Sequence, residues 1–325
     1  MSRALTLDAL RNADHSLFPR EAIRLGKFSA QPALTPRRLI APLAAVSAAG
    51  AGLLAYAHYI EPKWLDIQHL ELTLPRLDPE FDGYRIVQFS DLHMELWQDW
   101  AMLEEIVAQT NAFEPDLIAL TGDYVHRRVD GVADRLSQTL SRLRAKDAAL
   151  AIMGNHDYWQ DGNAVRRMLA RANLIDISNS VHTIRRGNAA LHIAGIDSVV
   201  EMRSRLDLVV ESLTEPGAAI LLAHEPDIAY VTASTGCFDL QLSGHSHGGQ
   251  VRVPLLMNLV LPAFARRFVV GLNRINGMYV YTNRGVGMSG MRLRFNCRPE
   301  LTVFTLRANG RRRSRPNGNE RSALA

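Results

Sequence analysis

Cysteine is nearly absent: Cys237 and Cys297 are the two thiols in 325 residues. They allow one disulfide at most, which excludes a disulfide-stapled scaffold, and they form no Cys-x-x-Cys pair of the kind a thiolate zinc site uses. Both are expected to be small buried or half-buried residues. Aromatic residues are sparse too, at 7%, while the formal net charge of +4 is carried by the two ends of the chain. Arg3, Arg11, Arg20, Arg24, Lys27, Arg37 and Arg38 stand near the start, and Arg311-Arg-Arg-Ser-Arg315 near the finish. Neither end interleaves cations with the aromatic platforms that single-stranded nucleic acid stacks on, so no nucleic-acid partner is expected.

Asp, Glu, Lys and Arg are all missing from Leu39 to Ile60. That length matches the ~20 apolar residues needed to cross a bilayer. With basic residues before it and Glu61-Pro-Lys63 after it, the positive-inside bias puts the N-terminus in the cytoplasm and the large domain outside, as a single-pass protein. Arg37-Arg38 also resembles a twin-arginine export signal, and Ala55-Tyr-Ala57 offers a small-residue cleavage site, so anchor and cleaved signal both stay open. Four segments are expected: a flexible basic arm over 1–38, the transmembrane or signal-anchor segment 39–60, a working domain over 64–308, and a disordered basic tail over 309–325. The 47% hydrophobic content gives that working domain a sizeable core.

Six short apolar runs punctuate it. They lead to Asp91-Leu-His93, Asp123, Asn155-His-Asp157, Asp197, His224 and His245-Ser-His247. Asp123 follows Asp91 by 32 residues and Asn155 follows Asp123 by 32, close to the ~30 residues of one βαβ unit. Helical spacing of apolar residues predicts helices over Trp97–Phe113, Val132–Leu143 and Val165–Ala172. Gly277–Thr282 and Leu301–Leu306 read as strands of a second sheet stacked on the first, giving an α/β sandwich. In such sheets ligands gather at the carboxyl ends of the strands, which is where the polar residues stand.

Each motif alone is a moderate signal. Asp91 and His93 point to the same side of an extended segment; Asp123 has two oxygens and can bridge two cations; Asn155 offers a neutral hard oxygen. His224 ends an apolar run, and His245 and His247 lie in a glycine-flanked loop suited to metals. His156 can protonate a leaving oxygen if Asp157 orients its imidazole. A His/Asp/Asn set without thiolates suits Mn, Fe, Zn or Mg, and two such ions ~3.5–4 Å apart can activate a bridging hydroxide for displacement at phosphorus. Arg292, Arg294 and Arg298 read as an exposed basic strand face and are left out of the site.

Asp91-x-His93, Gly122-Asp123, Gly154-Asn-His-Asp157, His224 and Gly244-His-Ser-His247 together resemble the calcineurin-like metallophosphoesterase signature, over 84–250. The resemblance implies a four-layer α/β/β/α sandwich and a dinuclear metal-dependent phosphoesterase, with Mn favoured. It further implies that Asp91, His93, Asp123 and His247 hold one metal, that Asp123, Asn155, His224 and His245 hold the other, and that His156 assists the leaving group with support from Asp157. His247-Gly-Gly-Gln-Val-Arg-Val-Pro254, Asn283-Arg-Gly-Val-Gly287 and Leu293–Leu301 resemble a bacterial membrane-associated subgroup similar to the YkuE and YaeI phosphoesterases. That likeness implies a phosphodiesterase or pyrophosphatase at the bacterial inner membrane, acting on UDP-2,3-diacylglucosamine or another lipid-linked phosphate. Phospholipid head groups, wall phosphates and scavenged diesters remain alternatives, as do a phosphomonoesterase of small molecules or phosphoproteins and a non-catalytic metal-binding membrane protein.

Overall fold

The structure, a computed structural model, describes residues 36–94, 99–253 and 261–309. The arm before Pro36, the tail after Asn309, and Trp97 and Pro254 lie outside the described residues. The chain divides at Gly50 and Ala51 into two units. An apolar helix α1 (Pro36–Ala55) runs on through a π-turn at Tyr56–Ile60 and a 3-10 turn at Glu61–Lys63. The stretch Pro42–Lys63 is long and apolar enough to cross a membrane.

The elements that follow are β1 (Asp66–Leu74), β2 (Arg85–Phe89), α2 (Trp100–Ala112), β3 (Leu117–Leu120), α3 (Ala133–Leu140), β4 (Ala148–Ala151), α4 (Gly162–Arg171) and β5 (Ile175–Asp176). Then come β6 (Ser180–Arg186), β7 (Ala189–Gly195), α5 (Leu206–Ser212), β8 (Ala218–Leu222), α6 (Ala229–Ser234), β9 (Leu240–Ser243), β10 (Gly271–Ile275), β11 (Met278–Thr282) and β12 (Glu300–Ala308). Two six-stranded mixed sheets result, in the orders β1-β12-β2-β3-β4-β5 and β10-β11-β9-β8-β7-β6.

Strand alternation builds the layers. Ile86, Leu117 and Ala119 face the second sheet and meet Leu191, Ile193, Ile220, Leu222 and Leu242. Their neighbours Val87, Ile118 and Leu120 point the other way, onto Leu103, Ile106, Leu136 and Met168 of α2, α3 and α4. Ala219 and Leu221 cover the far side of the second sheet with Val209 of α5 and Ala229 and Ala233 of α6. This is a four-layer α/β/β/α sandwich, and each fully buried aliphatic side chain contributes about 1.5–3 kcal/mol to it. Aspartates begin two of the helices: Asp99 accepts a hydrogen bond from Met102 N and Asp161 from Ala164 N.

One expected strand changes sheets. Leu301–Leu306 lies in the first sheet, as part of β12, parallel to β1 and antiparallel to β2. The segment Gly277–Thr282 does join the second sheet, as β11 beside β9. Arg294 also departs from expectation, being wholly buried rather than on an exposed strand face. Its guanidinium donates to the carbonyls of Arg284, Gly285, Gly287 and Cys297. A planar cation with five donors satisfies several carbonyls of one folded loop at once.

Candidate metal centre

The strands β2, β3 and β4 are mutually parallel, and so are β7, β8 and β9. Their carboxyl ends therefore deliver the turns after them to one edge of the sandwich. Gln88 Nε2 ties the two sheets there, donating to Ser243 O at 3.1 Å and to Thr121 Oγ1 at 3.1 Å. The turns are sharp: φ is +56° at Asp91, +46° at His93, +58° at Asp123, +68° at His245 and +49° at His247. Left-handed backbone at non-glycine residues costs of order 1–3 kcal/mol each and persists where the surroundings over-determine it.

Those surroundings are close-packed. Gly287 N donates to Asp91 O at 2.7 Å, His93 N to Asp123 O at 3.1 Å and His245 N to the Asp91 carboxylate at 3.1 Å. His156 N donates to Asp123 Oδ1 at 2.9 Å. A Cβ on Gly154 would collide with the Asp123 side chain, and one on Gly244 with Ser90 and Asp91.

Among the described residues the donors converge in three groups: Asp91 with His93 and His247, Asp123 with His224 and His245, and, sharing His93, the imidazoles of His93, His126 and His156. His93 Nε2 and His247 Nε2 lie 3.0 Å apart, His247 Nε2 is 3.4 Å from Asp91 Oδ1, and His93 Nε2 is 3.6 Å from Asp123 Oδ2. Asp123 thus reaches both carboxylate-bearing groups. His224 Nε2 stands 3.1 Å from Asp123 Oδ2, but in a direction that makes no hydrogen bond. Asn155 Oδ1 is buried beside them, likewise without a hydrogen-bond partner.

Backbone carbonyls fix the imidazoles. Thr121 O accepts from His224 Nδ1 at 2.6 Å, leaving the Nε2 lone pair toward Asp123; Ala263 O accepts from His245 Nε2 at 2.8 Å, leaving Nδ1. Burial holds His93 and His247 well below the ordinary imidazole range, so both stay neutral. Burial opposes charge on Asp123, yet the imidazoles of His224, His156 and His93 together hold its carboxyl well below the ordinary range. Burial likewise opposes charge on His224, and the Asp123 carboxylate overcomes it, so without another cation this ring draws a proton. Neutral imidazoles, carboxylates and an unpartnered amide oxygen around shared points fit divalent cations.

His156 and Trp159 line the adjoining cavity of about 430 Å³, with their ring centres 3.7 Å apart and the planes inclined by 35°. The group orienting His156 differs from the one anticipated: His156 Nδ1 donates to His126 O at 2.7 Å. The Asp157 carboxylate instead accepts from the backbone N–H of Asp123, Tyr124 and Gly154 at 2.8–2.9 Å. Burial pushes the Asp157 carboxyl up to about 8 and the Asp123 carboxylate adds to it, while N–H donors pull the other way. Asp197 stays out of the cluster and holds Tyr158 and Arg166.

Sequence reasoning missed His126, a buried histidine whose ring lies 5.5 Å from that of His93 and 4.7 Å from that of His156. Its position three residues after Asp123 was the available signal.

The calcineurin-like phosphoesterase family model matches residues 84–249. The chain is 32% identical over 275 residues to the metallophosphoesterase YkuE of Bacillus subtilis (strain 168), covering 82% of this chain and 94% of that one. It is 31% identical over 282 residues to the phosphodiesterase YaeI of Escherichia coli (strain K12), covering 84% and 99%. It is 25% identical over 327 residues to the UDP-2,3-diacylglucosamine pyrophosphatase LpxG of Chlamydia muridarum (strain MoPn / Nigg), covering 81% and 95%. With its two carboxylate-bearing donor groups set at the strand ends of a four-layer sandwich, the chain belongs to the calcineurin-like phosphoesterases and is a metallophosphoesterase-family hydrolase.

Proposed function

We propose that the protein is a membrane-anchored, dinuclear metal-dependent phosphodiesterase or pyrophosphatase acting on a lipid-linked phosphate. The carrying observation is the convergence of Asp91, His93 and His247 on one side of Asp123, and of His224 and His245 on the other. Asp91, His93, Asp123 and His247 would hold one cation; Asp123, Asn155, His224 and His245 the second. When bound, the pair supplies Lewis acidity, activating water and neutralising charge on the phosphoryl oxygens. The carbonyls of Thr121 and Ala263 keep His224 and His245 in the tautomers this role needs.

His156 works from the cavity side. Its Nδ1 is committed to His126 O, so Nε2 is the nitrogen left to pass a proton to the departing oxygen. Asp157 keeps the turns bearing Asp123 and Asn155 together. The activities for which YaeI and LpxG are named, a phosphodiesterase and a pyrophosphatase, support cleavage of one P–O bond at a phosphorus that carries two substituents, and the apolar stretch Pro42–Lys63 supports membrane attachment. Orientation with the domain outside the cytoplasm follows from the basic residues that precede Leu39.

The test is hydrolysis by the full chain in detergent with Mn²⁺, offered bis-p-nitrophenyl phosphate, p-nitrophenyl phosphate and UDP-2,3-diacylglucosamine. The diester or the UDP-lipid should be cleaved, Asp123→Ala should abolish turnover, and His156→Ala should lower it roughly 10²–10⁴-fold with metal content retained. Preference for the monoester would favour the phosphomonoesterase reading. A protein that binds metal and cleaves none of the three would be a metal-stabilised binding protein.

A further inference from the structure

The cavity beside the metal centre and the end of the apolar helix share a wall. Ser289, Gly290 and Met291 line the cavity, while Met288 and Arg292 line a small cleft together with His58, Pro62 and Lys63. Hydrogen bonds lock the two sides: Arg294 N donates to Ala57 O at 2.9 Å, and His58 Nδ1 pairs with Arg292 O at 2.8 Å. Glu61 accepts from Cys297 N, and the Arg298 guanidinium lies 3.4 Å from the ring centre of Trp64. On the cavity side, Gln250 Nε2 donates to Ser289 O at 3.1 Å and to Met291 O at 2.8 Å. A segment five residues wide therefore separates the mouth of the site from the last turns of the helix.

That rim is apolar where a soluble enzyme's rim is ordinarily polar. Met291 is 55% exposed and Trp159 46%, and Phe264, 45% exposed, follows the wall residue Pro262 by two positions. At the helix end Tyr59, Ile60 and Trp64 are exposed as well, with Lys63 and Arg292 beside them. Tyr and Trp flanked by cations are the side chains that settle at a membrane–water boundary. Exposed large apolar side chains gathered at the mouth of a site and at the end of an apolar helix are what an interaction face presents.

We propose that this rim rests on the surface of the bilayer that the helix enters, so that the cavity opens onto that bilayer and takes its phosphate ester from an amphiphile held in the same leaflet. The inference rests on the phosphoesterase reading above and on the helix crossing a membrane, and adds where the substrate enters. The occupant of the face is the bilayer, because the helix end and the mouth are joined by one short hydrogen-bonded segment. A bulk-phase substrate would gain nothing from an apolar rim. A membrane-borne one reaches the site without leaving the lipid.

The experiment uses the full chain with Cys237→Ser, reconstituted in phosphatidylcholine and phosphatidylglycerol vesicles, with an environment-sensitive fluorophore on Met291→Cys or Phe264→Cys. Asn188→Cys, in the β6–β7 turn at the opposite end of β7, is the control. Nitroxide-bearing lipids should quench the two rim labels about twofold, as for groups ~5–10 Å into the headgroup and acyl boundary, and leave the control label bright. Rim labels that stay bright and accessible to aqueous acrylamide would overturn the inference. So would labels shielded from acrylamide but not quenched by the lipid, since a second protein would then cover the face. Mn²⁺-dependent hydrolysis of bis-p-nitrophenyl phosphate, p-nitrophenyl phosphate and UDP-2,3-diacylglucosamine in the same preparations separates the two claims: bright labels with turnover of any of them remove only the rim contact, and absence of turnover of all three removes the phosphoesterase reading.

Discussion

Asp157 shows how one side chain's partners decide its role. Beside His156 in sequence, it reads as the group that would orient that imidazole, yet its two oxygens accept from Asp123 N, Tyr124 N and Gly154 N. A sequence lists neighbours, whereas the direction of a carboxylate depends on which turn folds back over it. The Asp157→Ala substitution would leave four buried donors unmet, these three and the more distant Val125 N, at about 1–3 kcal/mol each. Thermal unfolding should show a marked fall in Tm, and turnover per folded molecule should fall with metal affinity rather than through a changed leaving-group dependence. Metal affinity and Tm both unchanged would return Asp157 to a direct chemical role. Arg294 was illegible for a related reason, since an arginine that feeds loop carbonyls leaves no spacing signature, and of His126 only the three-residue spacing from Asp123 was legible, not the carbonyl it lends to His156.

At the scale of elements, the reading worked where chemistry and topology coincide. The turns after β2, β3, β4, β8 and β9 carry Asp91, Asp123, Asn155, His224 and His245, and parallel strands bring such turns together wherever they lie in the chain. The placement of β12 was not legible, because a strand's own pattern does not specify its neighbours; its register with β1 and β2 is set by segments more than two hundred residues away. Close approach between turns gives a prediction here. Gly244→Ala forces a Cβ into Ser90 and Asp91, which meet it from the other sheet. The expected outcome is loss of Mn²⁺-dependent turnover together with weakened metal binding, measured by titration on the folded fraction. A variant that binds metal like the wild type would show that the turns can separate at little cost.

For the whole molecule, the apolar stretch Pro42–Lys63 makes a further expectation concrete. The full chain should sediment with membranes and stay there after alkaline carbonate washing. Protease added outside spheroplasts should digest the domain that follows Lys63. Release by carbonate would point to a cleaved signal, and protection from protease would reverse the orientation that the basic N-terminal residues imply. The length and composition of this segment were plain in the sequence; its hydrogen bonds to Arg292 and Arg294 were not, since they join positions that only folding brings together.

The claim on which the rest depends is that Asp123 is shared by two cations. The most direct measurement is the manganese content of the full chain after equilibrium dialysis, read by elemental analysis and by electron paramagnetic resonance. Two ions per chain with an exchange-coupled spectrum, falling to one uncoupled ion in His224→Ala, is the result expected. A single uncoupled ion in a wild-type protein that still hydrolyses the diester would contradict the dinuclear account.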